Sequence, residues 1–184
     1  MRFIKRFTVF SFMILSFASV AAYAQDLSTI KSTQTVERKI FKKIIALPYY
    51  GVFDNIAFTF EDGTVILTGK VAEIRNRKDA ESAVKRIEGV RKVVNNIEVL
   101  PLSRFDDAIR RQTLRTFNRD GASLYRYLLE PRPSMRIIVK NGHLTLEGFV
   151  SGKGDSELAY ILARTIPGVF SVTNNLIIGT AEYR

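Results

Sequence analysis

GVRKVVNN at 89–96 returns 79 residues later as GVFSVTNN at 168–175. Around these octets the correspondence runs without a gap, Gly63 to Val99 matching Gly142 to Ile178. The chain is therefore read as two copies of one folding unit.

Each copy contains two strand-like segments about a tight turn. In the first, Ile56-Ala57-Phe58-Thr59-Phe60 leads through Glu61-Asp62-Gly63 into Thr64 to Val71; in the second, Arg136 to Val139 leads through Lys140-Asn141-Gly142 into His143 to Val150. Asp-Gly and Asn-Gly between alternating apolar runs predict hairpins, because both central turn residues need positive φ. Alternation places Phe58, Phe60, Val65, Leu67 and Val71 on one face, matched by Ile137, Val139, Leu144, Leu146 and Val150. Gly69 and Gly148 fall mid-strand on that face, where glycine marks a bulge or the close approach of another backbone, here expected to be a helix.

Ala80, Ala83, Val84 and Ile87 recur at helical spacing, as do Ala159, Leu162, Ala163 and Ile166. Gly89 and Gly168 follow as expected C-cap glycines, and closing strands run from Val93 to Val99 and from Val172 to Ile178. Upstream, Val36, Ile40, Ile44 and Leu47 form one face of a helix stopping near Pro48; Phe105, Ile109, Thr113 and Phe117 do the same before Gly121. The fold class is thus α+β: two tandem αββαβ units, each a three-stranded mixed sheet covered by two helices. The copies differ most between first helix and hairpin, where copy two carries the longer stretch 122–134, and inserted loops are where function tends to be added.

The leader is of another kind. Arg2, Lys5 and Arg6 precede an apolar run from about Phe7 to Val20 that ends in Ala22-Tyr23-Ala24, the pattern of a cleavable export signal cut before Gln25. The expected organisation is export signal 1–24, flexible segment 25–34, first unit 35–101, second unit 102–179 and tail 180–184. The 184 residues contain no cysteine, which excludes disulfides, thiol chemistry and a lipidated N-terminal cysteine. Without the three leader cations the chain has 25 basic and 18 acidic residues, a net charge of +7. In an exported protein this favours phospholipid headgroups, cell-wall polymers or acidic proteins over nucleic acid as partners.

The run DGTVILTGKV, a helix ending in EGV, then VVNNIEV, resembles the BON domain (bacterial OsmY and nodulation), and NGHLTLEGFV, IPGV and VTNNLII resemble it again. The likeness covers about 35–101 and 102–179. It implies the same αββαβ fold and a periplasmic, non-enzymatic role in binding phospholipid membranes or envelope proteins, associated with outer-membrane integrity and osmotic stress. It brings no catalytic residue, metal or cofactor; Gly69, Gly89, Gly148 and Gly168 carry over as fold-determining positions only. The long loop of copy two and the missing lipid anchor depart from relatives, and the latter leaves open whether the protein is held at a membrane or free. Oligomeric state is not implied.

On a helical wheel Arg104, Arg111 and Arg115 cluster opposite Phe105, Ile109 and Thr113, with Tyr125-Arg126-Tyr127 nearby in sequence. Guanidiniums that fork onto phosphate oxygens, beside tyrosines at headgroup depth, form one candidate anionic-lipid surface. The other reading is a solvated helix face with both tyrosines on the core. Arg38, Lys39 and Lys42, with Phe41 and Ile45 at the stripe edge, offer a second interfacial helix, or a surface on which the other unit docks. Leu158, Tyr160 and Ile161 likewise extend an apolar helix face. A further reading from these faces and the sheet edges is a protein-binding or chaperone-like envelope factor.

Enzyme-like fragments carry less. His143 is the only histidine and stands where copy one has Thr64, so it reads as a turn residue without a metal or nucleophile partner. SGKGDS at 151–156 is similar to a phosphate loop but lacks its spacing, and reads as a helix entry capped by Asp155 or Ser156. The acidic residues are scattered, which gives a paired-carboxylate site little support.

Overall fold

A computed structural model describes residues 33–120, 123–129 and 133–179. The predicted export signal and the tail lie outside these residues. Helix α1 spans 33–45. It is followed by β1 (Asn55–Glu61), β2 (Thr64–Val71), α2 (Ile74–Lys85), β3 (Lys92–Asn95) and β4 (Glu98–Val99). The second unit has α3 (Arg104–Arg119), the short α4 (Tyr125–Leu128), β5 (Met135–Lys140), β6 (His143–Val150), α5 (Lys153–Arg164) and β7 (Ser171–Ile178).

Both hairpins form as the turn chemistry dictates, with Asp62 at φ 46° and Gly63 at 72°, and Asn141 at 52° and Gly142 at 78°. β1 and β2 pair antiparallel, as do β5 and β6, and each closing strand returns parallel to the second hairpin strand. The expected mixed topology is present in both sheets. Val65, Leu67 and Val71 pack with Ile40, Ile44, Ala80 and Val84 in one core; Ile137, Val139, Leu144, Leu146 and Val150 pack with Ile109, Phe117, Ala159 and Ala163 in the other. Phe58 and Phe60 are only partly buried against the first core.

The first sheet has four strands because its closing strand breaks. Asn95 and Asn174, the first asparagines of the repeated pair, explain both the break and the repetition. Each sends its side-chain amide to the neighbouring helix, Asn95 to the Arg77 carbonyl and Glu81, and Asn174 to the Ser156 carbonyl and hydroxyl. Each accepts the backbone N–H two residues on, of Ile97 and Leu176. The motif thus ties strand to helix and occupies an edge N–H that sheet pairing would otherwise leave open. In unit one Ile97 is also drawn into the core, which separates β3 from β4.

The glycines keep their structural roles with different neighbours. Gly69 and Gly148 have φ of 112° and 101°, and a methyl on either would lie 2.1 Å from the carbonyl oxygen of Asn55 or Ser134. The close backbone is therefore the partner hairpin strand and not the helix expected from the alanine stripe. Gly89 and Gly168 lie beyond the helix ends at Arg86 and Thr165 and are not their C-caps. Each is third in a turn closed by Val90 N–H to the Ile87 carbonyl or Val169 N–H to that of Ile166, where positive φ at that position calls for glycine. Helix α5 likewise begins on Gly152 without a side-chain cap, so neither Asp155 nor Ser156 caps it.

The units are joined by more than the linker at Pro101-Leu102-Ser103. Val52 belongs to the second core, and its carbonyl accepts the Ile137 N–H at 2.8 Å on the outer edge of β5. Lys140 pairs with Glu98 across the joint. Residues 135–139 are consequently buried on both faces of the strand.

Candidate functional site

Helix α3 is set firmly on its own hairpin. The Ser103 hydroxyl accepts the Asp106 N–H as N-cap, and the fully buried Asp106 carboxylate accepts the N–H groups of Asn141 and Gly142 in the β5–β6 turn. On the same helix Arg110 turns inward, where it pairs with Asp107 and donates to the Val139 carbonyl. These contacts fix the rotation of α3. Arg104, Arg111 and Arg115 are left exposed, and among the described residues no carboxylate pairs with them. At 1.5 Å rise per residue the three span roughly 16 Å of helix.

Phe105, expected on the core stripe, is 47% exposed. Its ring lies against Gly168 and Gly142, where an added methyl would come within 3.1–3.2 Å, and it meets Phe170 at 5.9 Å between centroids. Phe170 itself is 71% exposed and is met edge-on by His143, whose Nδ1 bonds the Ser171 hydroxyl. Next to Arg104 there is thus an exposed aromatic corner held on a glycine floor. The first unit places Arg91 at the position of Phe170. Arg91 lies over Gly63 and donates to the Asp62 carbonyl, which leaves that corner polar. The repeat alignment carries this difference, but only as one unlike pair among many.

The loop residues divide. Tyr125 is 48% exposed and remains available to a surface. Tyr127, placed at headgroup depth by the sequence reading, is 6% exposed and belongs to the second core. Its hydroxyl accepts from the Ser151 N–H and Arg126 and donates to Asp155, so it has no capacity left for a ligand. Arg126 is exposed but pairs with Asp155 at 2.7 Å and stacks on Tyr127. Asp155 also accepts from the Ser123 hydroxyl, and the Tyr127 hydrogen bond, aided by those of Ser123 and Arg126, holds its carboxyl below the usual range. The trio's structural work is to fasten the long loop to the start of α5.

In unit one Arg38, Lys39 and Lys42 are exposed on α1, while Phe41 and Ile45 are half-buried and face a cavity shared with unit two. That placement turns the two apolar residues toward unit two across an open space. On α5, Leu158 packs on the second core and Ile161 is exposed.

The BON domain family model matches residues 32–101 and 106–180. The family is generally non-enzymatic. No curated protein matches the chain. Among solved structures the chain is similar to CdsD, a structural protein of the type III secretion system of Chlamydia trachomatis, at 13% identity and TM-score 0.29, over 80% of this chain and 94% of that one. A C-terminal domain of CdsD aligns at 12% identity and TM-score 0.28, over 78% and 96%.

Proposed function

The chain belongs to the BON domain family, and from that premise we propose that it is an exported, periplasmic, non-enzymatic envelope protein whose second unit seats on anionic phospholipid. In that role it supports outer-membrane integrity or osmotic-stress tolerance. The reading rests chiefly on the juxtaposition of Phe105 and Phe170 with Arg104 at the start of α3. Each arginine near an anionic surface contributes about 1 kcal/mol, so Arg104, Arg111 and Arg115 alone give weak, salt-sensitive binding. Two exposed phenyl rings add the apolar insertion that lets such contact persist, with Tyr125 at headgroup depth. Arg126 and Tyr127 position the loop and are not ligands in this reading.

Cosedimentation with vesicles tests it. Binding is expected to rise with anionic lipid, fall with salt and weaken when Arg111 and Arg115 both become Glu; retention that ignores lipid charge would overturn the proposal. A second reading, capture of polypeptide, draws on β7, an edge strand with no charged residue and with Ile177 and Ile178 exposed. Asn174 counts against it by occupying the edge N–H of Leu176. Retention of unfolded clients by a protein that vesicles never retain would select this second reading.

A further inference from the structure

Away from α3, the joint between the units forms a half-open cleft of about 320 Å³ whose lining includes Phe41, Ile45, Tyr50, Pro133, Arg136 and Phe149. Its lining is mostly apolar, with Asn55 and Ser134 as polar neighbours and Arg136, 7% exposed, as its one charged side chain. A buried guanidinium is ordinarily met by a carboxylate. Arg136 has none among the described residues: its Nη1 donates to the Gly51 carbonyl at 2.9 Å, and its Cζ lies over the Tyr50 ring, 4.5 Å from the centroid. The buried carboxylate within its field, Asp54, is already taken by the N–H groups of Gly51 and Ala72 and the amide of Asn76. The Tyr50 hydroxyl accepts the Ile56 N–H at 3.0 Å, and among the described residues no acceptor takes its own proton. Two neighbouring donors with unused capacity therefore line a mostly apolar cleft.

We infer that this cleft binds a single-chain amphiphilic anion, its carboxylate or phosphate headgroup held by Arg136 and the Tyr50 hydroxyl and its alkyl chain lying against Phe41, Ile45, Pro133 and Phe149. A charged fork suits such oxyanions, and withdrawal from water strengthens the pair. The cavity lies at the small end of the range for ligand pockets, which admits one alkyl chain and not two. The site is separate from the α3 face and independent of the vesicle-binding proposal.

Calorimetric titration of the full chain with decanoate, decyl phosphate and decanol, each below its aggregation concentration, tests the assignment. One saturable site is expected for at least one anion, with decanol at least ~10-fold weaker; whichever anion binds more tightly identifies the headgroup. Arg136→Gln is expected to remove that preference. Ile45→Trp, which fills the cleft and leaves Arg136 in place, is expected to abolish binding of all three, and it decides the matter if Arg136→Gln fails to fold. Arg111→Glu with Arg115→Glu is expected to leave the titration unchanged while weakening vesicle binding. Equal affinity for decanol and the anions, undiminished binding by Ile45→Trp, or no saturable site would overturn the inference.

Discussion

Replacing Gly148 by Ala tests whether the mid-strand glycines hold the hairpins in their observed register. The added methyl would lie 2.1 Å from the Ser134 carbonyl oxygen and 3.1 Å from its carbon, both backbone atoms with no rotamer to yield. The residue would also have to keep φ near 101°. Three costs follow: roughly 1–2 kcal/mol for the left-handed backbone, roughly 1–3 for overpacking, and about 1 for weakening the Phe149 N–H bond to Ser134, now 2.9 Å. The sum, ~3–6 kcal/mol, is a large part of the stability of a small domain. Urea unfolding followed by circular dichroism, with amide exchange resolved over β5 and β6, should show a midpoint lowered by at least ~1 M and early exchange of that hairpin. Gly154→Ala is the control, since nothing lies within 4 Å of its added methyl and the position is inside α5, where Ala is tolerated. A loss below ~1 kcal/mol for Gly148→Ala would refute the reasoning, because the strand would then have found another path past Ser134.

Phe170→Ser removes a ring that is 71% exposed; of the ~200 Å² of an aromatic side chain, some 140 Å² would leave the bilayer boundary, costing about 3 kcal/mol or a hundredfold in vesicle affinity at unchanged melting temperature. Ser103→Ala deletes the N-cap of α3 and is expected to lower stability by about 1 kcal/mol in thermal melts. Asp106→Ala strands the turn N–H groups of Asn141 and Gly142 and should cost more, about 2–3 kcal/mol. The depressed Asp155 carboxyl contributes stability above its ordinary value of 3.8 and loses it as pH falls through the lower folded value. Exchange of the Ser151 amide, which donates to Tyr127, should therefore accelerate only as acid goes below about 3.8, and Asp155→Asn should make it fast at neutral pH.

Much of the architecture was legible because its signals are local. Asp62-Gly63 and Asn141-Gly142 specify their turns through backbone geometry alone, and the periodicity of Ile40-Ile44 and Ala80-Val84 states which helix face is inward. What escaped depends on contacts remote in sequence. Gly148 signalled close approach, but not that Ser134 was the neighbour, since which backbone comes close is a relation between two strands. Tyr127 and Tyr125 are equal in the sequence, and only Asp155, 28 residues beyond Tyr127, draws one of them inside. Arg110 reads as one more surface cation on α3 until the Val139 carbonyl claims it. The Arg136 cleft was invisible for the same reason, because the residues opposite its guanidinium come from the other copy of the repeat.

Duplication bears on function through what the two copies no longer share. Hairpin turn, mid-strand glycine, the Ile-x-Gly-Val turn and the strand-to-helix asparagine serve the frame in both units, so substitutions there act on folding. The corner beside the hairpin turn is outside that set: Arg91 folds back over Gly63 in one copy, and Phe170 stands over Gly142 in the other. Both side chains sit on the same kind of glycine floor at equivalent positions, so exchanging them should cost the fold little. Phe170→Arg is accordingly expected to leave unfolding within ~0.5 kcal/mol of the parent while vesicle affinity falls despite the added positive charge. A pure charge mechanism requires the opposite sign, with affinity rising by the ~1 kcal/mol of one more cation. The sign of that single change separates a surface that inserts from one that only attracts.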